Sequence, residues 1–509
     1  MKLLKLLSSR MFITSTLILI QLIWFVVFIM KLTTYYGWMS EVFSVLSLII
    51  VLYIIGKDEN ASYKIEWIIL IMALPLFGGL LYLFFGNKRP SKNMRLKLKK
   101  EHKKISEFMV QDRGIFNEIF KINERALGTF KYIYEKCSYP LYNNSFTTYY
   151  SLGEEMYKDI LSELEKAKHF IFLEYFIIEE GVMWENILKI LIKKVKSGLD
   201  VRIIYDDIGS LSFLPNDFSK KMENMGIKCM VFNRFRPVLS LAMNNRDHRK
   251  ILVIDGITSF NGGVNLGDEY INKRRRYGHW KDTGIKVTGN ASWSFTLMFL
   301  EMWNTFRKSY DNIENFMPNF SYKENYQLDG YVQPFSDSPL DSERIGVNVY
   351  MELLSQAKRY VYIFTPYLVI DNEMRSAICM AAKRGVDVRI ITPGIPDKKL
   401  VYRLTRSNYV PLLKAGVKIY EYTPGFIHGK SYVCDDEIAV VGTINMDYRS
   451  LYLHFECGTI IYKTKSVMDL KKDSLETIAI SKEISLNDCK HALLGTIIDA
   501  VLRVFAPLF

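Results

Sequence analysis

Two short runs in this chain repeat one polar spacing, and that repetition limits the fold more than any other feature. The first, HRKILVIDGITSFNGGVN, places His248, Lys250, Asp255, Gly262, Gly263 and Asn265. The second, HGKSYVCDDEIAVVGTIN, places His428, Lys430, Asp435, Gly442 and Asn445. Both read H-x-K-x4-D-x6-G-x2-N. On a strand, positions i and i+2 share a face, so each His–Lys pair points one way. A cation beside an imidazole is poor core material, because burying a charge unpaired is costly. One such pair reads as a solvated sheet edge. Two copies at identical spacing, inside otherwise divergent apolar runs, do not.

The flanking sequence repeats as well. AKHFIFLEYFII from Ala167 answers AKRYVYIFTPYLVI from Ala357; GLDVRIIYDD from Gly198 answers GVDVRIITPG from Gly385; MGIKCMVFN from Met225 answers AGVKIYEYT from Ala415. Lys- and Glu-rich helical stretches precede β-branched runs opened by Gly, the pattern of repeated β-α units. The expected fold is therefore α/β. Two duplicated lobes, residues 140–325 and 326–509, each hold a mixed, largely parallel sheet flanked by helices and are related by a pseudo-twofold axis.

Ahead of the repeat, residues 1–90 read as a transmembrane module. Residues 11–30 are charge-free, 38–55 carry only Glu41, and 67–85 are charge-free with a Pro-Gly-Gly interruption. Each is about long enough to reach across a bilayer core. The stretch 91–139 reads as a basic juxtamembrane linker, opening on the polybasic run 87–104. By the positive-inside rule that run places the lobes in the cytoplasm of a multi-pass protein of the cell membrane. Lys2, Lys5 and Arg10 also pull the N-terminus inward, so two or three crossings are both compatible with the charge pattern. A formal charge of +13 over 509 residues asks for an anionic partner. The six scattered cysteines form no C-x-x-C pair and suit a reduced compartment.

The paired motif resembles the HKD motif of the phospholipase D superfamily, and the resemblance spans residues 140–509. More narrowly, YDDIGS, NNRDHRK, HWKDTGIKVTG, GTINMDYRS and the closing RVFAPLF resemble the bacterial cardiolipin synthases. The resemblance implies phosphatidyl transfer between two phosphatidylglycerol molecules, giving cardiolipin and glycerol. The alternative is hydrolysis to phosphatidic acid. It implies no metal and no other cofactor, anionic membrane lipids as partners, and no nucleic acid. A phosphodiester resists an anionic attacker, so a neutral imidazole adds to phosphorus while a second protonates the leaving alkoxide from the opposite side. Lys250 and Lys430 neutralise the non-bridging oxygens. Asn265 and Asn445 are substrate-binding donors, and Asp255 and Asp435 complete the catalytic set by orienting it. Gly262, Gly263 and Gly442 allow close backbone approach. The resemblance assigns His248 as nucleophile and His428 as acid and then base; the near-identity of the motifs gives no local reason to prefer either.

Other polar features carry less. Asp206 and Asp207 are adjacent strand residues facing opposite ways, which argues against a metal pair. Glu174 is either a core-edge carboxylate with a cation or a site contact. Lys273–Arg276 reads as a solvated loop, and His102, His169, His454 and His491 as structural or exposed.

Overall fold

Each His–Lys pair opens a strand that turns back on itself at the motif aspartate. In the computed structural model, residues 38–86, 92–235, 244–307, 311–318, 329–341, 343–490 and 493–508 are described, with isolated positions between 16 and 35. The first lobe contains β1 (Ser145–Tyr150), β2 (Phe170–Tyr175), β3 (Asp200–Asp206), β4 (Lys228–Phe232), β5 (Lys250–Ile254), β6 (Thr258–Gly262), β7 (His279–Lys281) and β8 (Gly284–Gly289). The second begins with β9 (Tyr331–Asp337), β10 (Tyr360–Phe364), β11 (Leu368–Val369), β12 (Asp387–Pro393), β13 (Lys418–Tyr422) and β14 (Gly425–Ile427). It continues through β15 (Ser431–Cys434), β16 (Ile438–Gly442), β17 (Met446–Asp447), β18 (Glu456–Tyr462) and β19 (Lys482–Ile484).

The duplication is explicit in the sheet orders. The first is β1-β8-β6-β5-β2-β3-β4, and the second is β9-β18-β16-β15-β10-β12-β13-β19. They are one topology, with β19 added at the far edge. The sheets are mixed, but the expectation of largely parallel pairing is corrected. Only β2-β3-β4 and β10-β12-β13 run parallel, and the remaining neighbours in both sheets are antiparallel. The reason is local. Asp255, Asp435 and Asp436 adopt φ of 53°, 55° and 65°, a left-handed turn that Asp tolerates and that closes a hairpin within each motif.

The two lobes also exchange backbone. β7 of the first pairs in parallel with β14 of the second. At the symmetry-related place Asp247 bridges Phe455, with Phe455 N donating to Arg246 O at 2.8 Å and His248 N donating to Phe455 O at 2.9 Å. One apolar core runs through both halves, stacking Phe172 on Phe299 and Tyr350 on Tyr432.

The N-terminal expectations fare unevenly. Most of the segment 11–30 lies outside the described residues. The 38–55 run forms helix α1 (Trp38–Gly56). The 67–85 run is not one helix: α2 (Ala61–Ala73) stops at Leu74, and Pro75 starts α3 (Pro75–Phe85), since proline breaks a helix interior but suits a first turn. α1 has 19 residues and rises about 28 Å, under the ~30 Å of a hydrocarbon core. Among the described residues no helix is long and apolar enough to cross a membrane.

The 91–139 stretch is no loose linker where described. It folds as helix α4 (Lys92–Ser106) and helices over Arg113–Ile122 and Glu124–Cys137. Leu98 and Ile105 recur on one face of α4 and are buried, while its lysines stay outside. That face docks on helix α5 (Ser292–Phe306), where His102 meets Glu301 at 2.8 Å and Asn304 donates to Glu101 at 3.1 Å. The expected boundary at 325/326 lies outside the described residues. The closing helix α6 (Leu493–Val504) is held by an Arg403–Asp499 pair at 2.6 Å and leaves Ile497, Ile498 and Val501 exposed.

Candidate active site

Both motifs converge where the lobes meet. His248 and His428 are each about 93% buried or more, and Lys250 and Lys430 are fully enclosed. Each lysine ammonium folds back onto the carbonyl of the histidine two residues before it, Lys250 to His248 O at 2.6 Å and Lys430 likewise to His428 O. The two pairs lie close enough that Lys250, Lys430 and His428 all press on the protonation of His248.

The partners of the imidazoles come from the opposite lobes. His248 Nδ1 meets Glu456 Oε1 at 2.8 Å, and His428 Nδ1 meets Asp282 Oδ2 at 2.7 Å. Both carboxylates are fully buried. A carboxylate on Nδ1 fixes the tautomer and leaves Nε2 for chemistry. Neither acid was singled out in the sequence, although both stand in an acid-x-Gly unit opening a repeated strand: Asp282-Thr283-Gly284 and Glu456-Cys457-Gly458.

The halves differ in detail. A Cβ on Gly263 would stand 2.0 Å from Asp282 Oδ1, so only glycine lets that acid approach. The counterpart Thr443 instead donates its hydroxyl to Glu456 Oε2. The wall beside His428 is Trp280, with ring centroids 5.2 Å apart, together with Tyr270 and Phe426. Beside His248 the position two before the acid is His454, 5.5 Å away, with Phe176 at 5.0 Å. His454 was set aside in the sequence as structural or exposed. It is buried in the site, and neither of its ring nitrogens has a hydrogen-bond partner. Among the described residues, His248, His454 and Glu456 form the one group with metal-ligand composition, their ligand atoms within 4.8 Å of each other. The short contact between His248 and Glu456 makes this trio a hydrogen-bonded network first.

The electrostatics follow from burial among cations. Burial, reinforced by Lys250, holds His248 well below the usual imidazole range. Burial and Lys430 bring His428 down to about 4. Burial also lowers Lys250 to about 8 and Lys430 to about 7. The two acids part ways. Burial pushes Glu456 up, whereas at Asp282 the same burial is outweighed by His428 and Lys430, which hold it down.

The remaining candidates sit elsewhere or are already engaged. Asp255 and Asp435 stand apart from the imidazoles, where they hold backbone in place rather than attack. Each lies past the far end of the strand that begins at or just after its motif lysine and accepts three backbone N–H groups. Asp255 takes those of Lys168, His169 and Phe170 at 2.7–2.9 Å, and Asp435 those of Lys358, Arg359 and Tyr360 at 2.7–2.9 Å. They tie the hairpin turn to the start of the neighbouring strand. Asp255→Ala is accordingly expected to lower stability by about 1–3 kcal/mol while leaving turnover per folded molecule near wild type. Denaturant unfolding alongside an assay normalised to folded protein checks both.

Asn265 is engaged on both sides, accepting from Ile177 N at 3.0 Å and donating to Tyr270 Oη at 2.8 Å. Asn445 donates to Asp447 at 2.9 Å, and its Oδ1 is buried without a partner. Glu174 pairs with Arg249 at 2.8 Å. Asp206 caps a short helix and pairs with Arg246, and Asp207 accepts from Phe235 N, so the two do not form a ligand pair.

Comparisons with known proteins agree with this architecture. The family model described as "Cardiolipin synthase, PLD-like domain" matches residues 160–277 and 350–476, and the phospholipase D-nuclease N-terminal family matches 43–87. The chain is 33% identical over 478 residues to a cardiolipin synthase of Alkalihalophilus pseudofirmus, covering 93% of this chain and 94% of that one. It is 35% identical over 458 residues to a cardiolipin synthase of Staphylococcus aureus (87% and 90%), and 44% identical over 459 residues to an uncharacterized protein of Streptococcus mutans (90% and 99%). The structure of a phosphatidylserine synthase from Haemophilus influenzae shares the fold, with a TM-score of 0.53 at 16% identity, over 71% of this chain and 93% of that one.

Proposed function

This chain belongs to the bacterial cardiolipin synthases, phosphatidyltransferases built from phospholipase D-like lobes, and from that premise we propose that it joins two phosphatidylglycerol molecules through a phosphatidyl-histidine on His248. His428 acts first as acid and then as base. The observation that carries the reading is the crossed pairing, His248 with Glu456 and His428 with Asp282. It holds two imidazoles from separate lobes in one enclosed site, each with Nε2 left for a phosphorus centre.

In the first step His248 Nε2 attacks phosphorus, and the bond to the glycerol oxygen breaks. His428 supplies the proton, so glycerol departs neutral. In the second, His428 takes the proton from a hydroxyl of the incoming phosphatidylglycerol, whose oxygen displaces His248 and yields cardiolipin. Lys250 and Lys430 hold the non-bridging oxygens as charge builds. The unequal acids favour this division of labour. An ionised Asp282 stabilises the imidazolium that an acid–base residue must form, while Glu456, raised by burial and held by the Thr443 hydroxyl, accepts from Nδ1–H and keeps Nε2 of a neutral nucleophile free. Aromatic walls from Phe176, Tyr270, Trp280 and Phe426 disfavour water as acceptor and support transfer over hydrolysis. Attachment to a membrane is supported by the exposed apolar side chains of α1 and α6.

In phosphatidylglycerol micelles the purified protein is expected to release glycerol and accumulate cardiolipin with EDTA present. Phosphatidic acid as the sole lipid product would overturn the synthase reading. The same charges set a pH profile. Lys430 and Lys250 must be protonated to hold the phosphate, so kcat/KM should fall as pH rises through about 7 to 8. His248 stays neutral to well below 6.5, which puts the acid limb lower than that, and His428, at about 4 in the protein alone, gains the proton it donates as the anionic diester binds. A bound phosphodiester favours the ammonium forms, which moves the alkaline limb of kcat upward. An alkaline limb near the ordinary lysine value of 10.5, measured on a soluble diester, would contradict the clamp.

A further inference from the structure

A second cavity lies on the other face of the strands that carry the site. His248 and Glu456 point into the catalytic space, while their chain neighbours Arg249 and Phe455 line a separate cavity of about 710 Å³. Helix α4, the end of the helix over Glu124–Cys137, helix α5 and the segment around Leu340 close its other sides. Three of its lining groups are buried donors without a partner: Arg95 Nε, Tyr139 Oη and Arg249 Nη2. Arg249 and Tyr139 are each 1% exposed. Buried donors are ordinarily satisfied, so three left over around one space call for an acceptor.

The acids of the cavity do not supply it. Of its four acids, Glu301 is engaged by His102 at 2.8 Å, Glu343 by Tyr132 at 2.7 Å and Asn348 at 3.1 Å, Asp341 accepts from Glu343 N at 3.0 Å, and Glu135 is exposed. Arg249 pairs with Glu174 at 2.8 Å and gives Nε to Asp247 and Nη1 to Ser336, each at 3.4 Å, which leaves Nη2 for an acceptor in the cavity. Lys92, Lys99 and Lys136 add positive charge at the rim. Leu96, Met302, Leu340 and Phe455 make the rest of the wall apolar.

We infer that this cavity is a second lipid site, separate from the catalytic one, which holds the phosphate of an anionic phospholipid on Arg95, Arg249 and Tyr139 with acyl carbons along Leu96, Leu340 and Phe455. The donors fit a phosphate through charge-assisted hydrogen bonds, and the volume is that of a small-ligand pocket rather than a single ion. The site stands whichever product the catalytic histidines make.

The test is calorimetric titration of the full-length protein, in neutral detergent, with water-soluble dihexanoyl phosphatidic acid and with inorganic phosphate. Wild type is expected to show two phosphatidate binding events. Arg95→Gln with Lys99→Gln should weaken one of them about tenfold or more and leave the other in place, with an unchanged unfolding midpoint. Lys136→Gln, on a different helix, should weaken the same event. Inorganic phosphate should bind there about tenfold or more weakly than phosphatidate, since it lacks the chains. A single event in wild type, or two events unaltered by either variant, overturns the proposal. Equal affinity for inorganic phosphate overturns the lipid assignment. Loss of the other event alone, in His428→Ala, would report on the catalytic site and leave this one standing.

Discussion

His248→Ala and His428→Ala are each expected to cut cardiolipin formation roughly 10⁴-fold or more, because each removes a group that forms or breaks a bond rather than one that tunes it. The two losses should differ in kind. Without His428 the leaving alkoxide has no proton donor, and a diester with a good leaving group, such as a nitrophenyl ester, restores the first step. Without His248 there is no attacking nitrogen, and no leaving group compensates. A labelled phosphatidyl nitrophenyl ester, quenched by alkaline denaturation that spares a phosphorus–nitrogen bond, should therefore leave a covalent adduct on the His428→Ala protein and none on His248→Ala. Substantial turnover in either variant would break the two-histidine mechanism, and an adduct on the His248→Ala protein would exchange the roles.

The second large effect concerns the crossed acids. Asp282→Asn and Glu456→Gln keep size and polarity but replace a carboxylate on Nδ1 with a group that can impose the wrong tautomer, a change that costs about 10²–10⁴-fold in comparable His–acid pairs. The fall should appear in kcat far more than in KM, because neither acid is placed to meet the lipid. Asp282→Asn should also carry a pH signature. Removing the ionised partner makes His428 harder to protonate, so rate should recover as pH drops below neutrality. Glu456→Gln should show little such recovery, since burial already pushes Glu456 towards neutrality. A loss in Asp282→Asn confined to KM, or one reproduced by general unfolding, would remove its orienting role.

The parts of this molecule legible in its sequence were those written at short range. The His–Lys spacing announced two inward-facing pairs, although each histidine stands just before its hairpin strand rather than on it. The three matched flanking runs announced the duplication because each pairs a whole strand with its counterpart. What escaped depended on distant partners. Nothing near His248 names Glu456, which arrives from the other lobe, although the repeated acid-x-Gly units held the clue. Asp255 shares the motif with His248, yet a five-residue strand separates them, and what the spacing left out was which backbone groups Asp255 holds. His454 was set aside for want of a matching pattern, because its counterpart is Trp280, a residue of another chemistry. The sheet direction is set by the Asp-containing turns, which fold each motif strand back on itself, more than by the β-α repeats beside them. The lysines of α4 hid Leu98 and Ile105, whose spacing of two helical turns gave the helix a buried side.

The exchange of carboxylates between lobes has a consequence for how such a chain can change. A substitution near Glu456 is felt by an imidazole encoded in the other half, and one near Asp282 likewise, so neither half can drift at those positions on its own account. Elsewhere the copies have gone separate ways, as Trp280 against His454 and Gly263 against Thr443 attest. Around the acids they remain yoked, and a polypeptide cut between them would yield two fragments, each lacking the counter-ion that makes its own histidine useful.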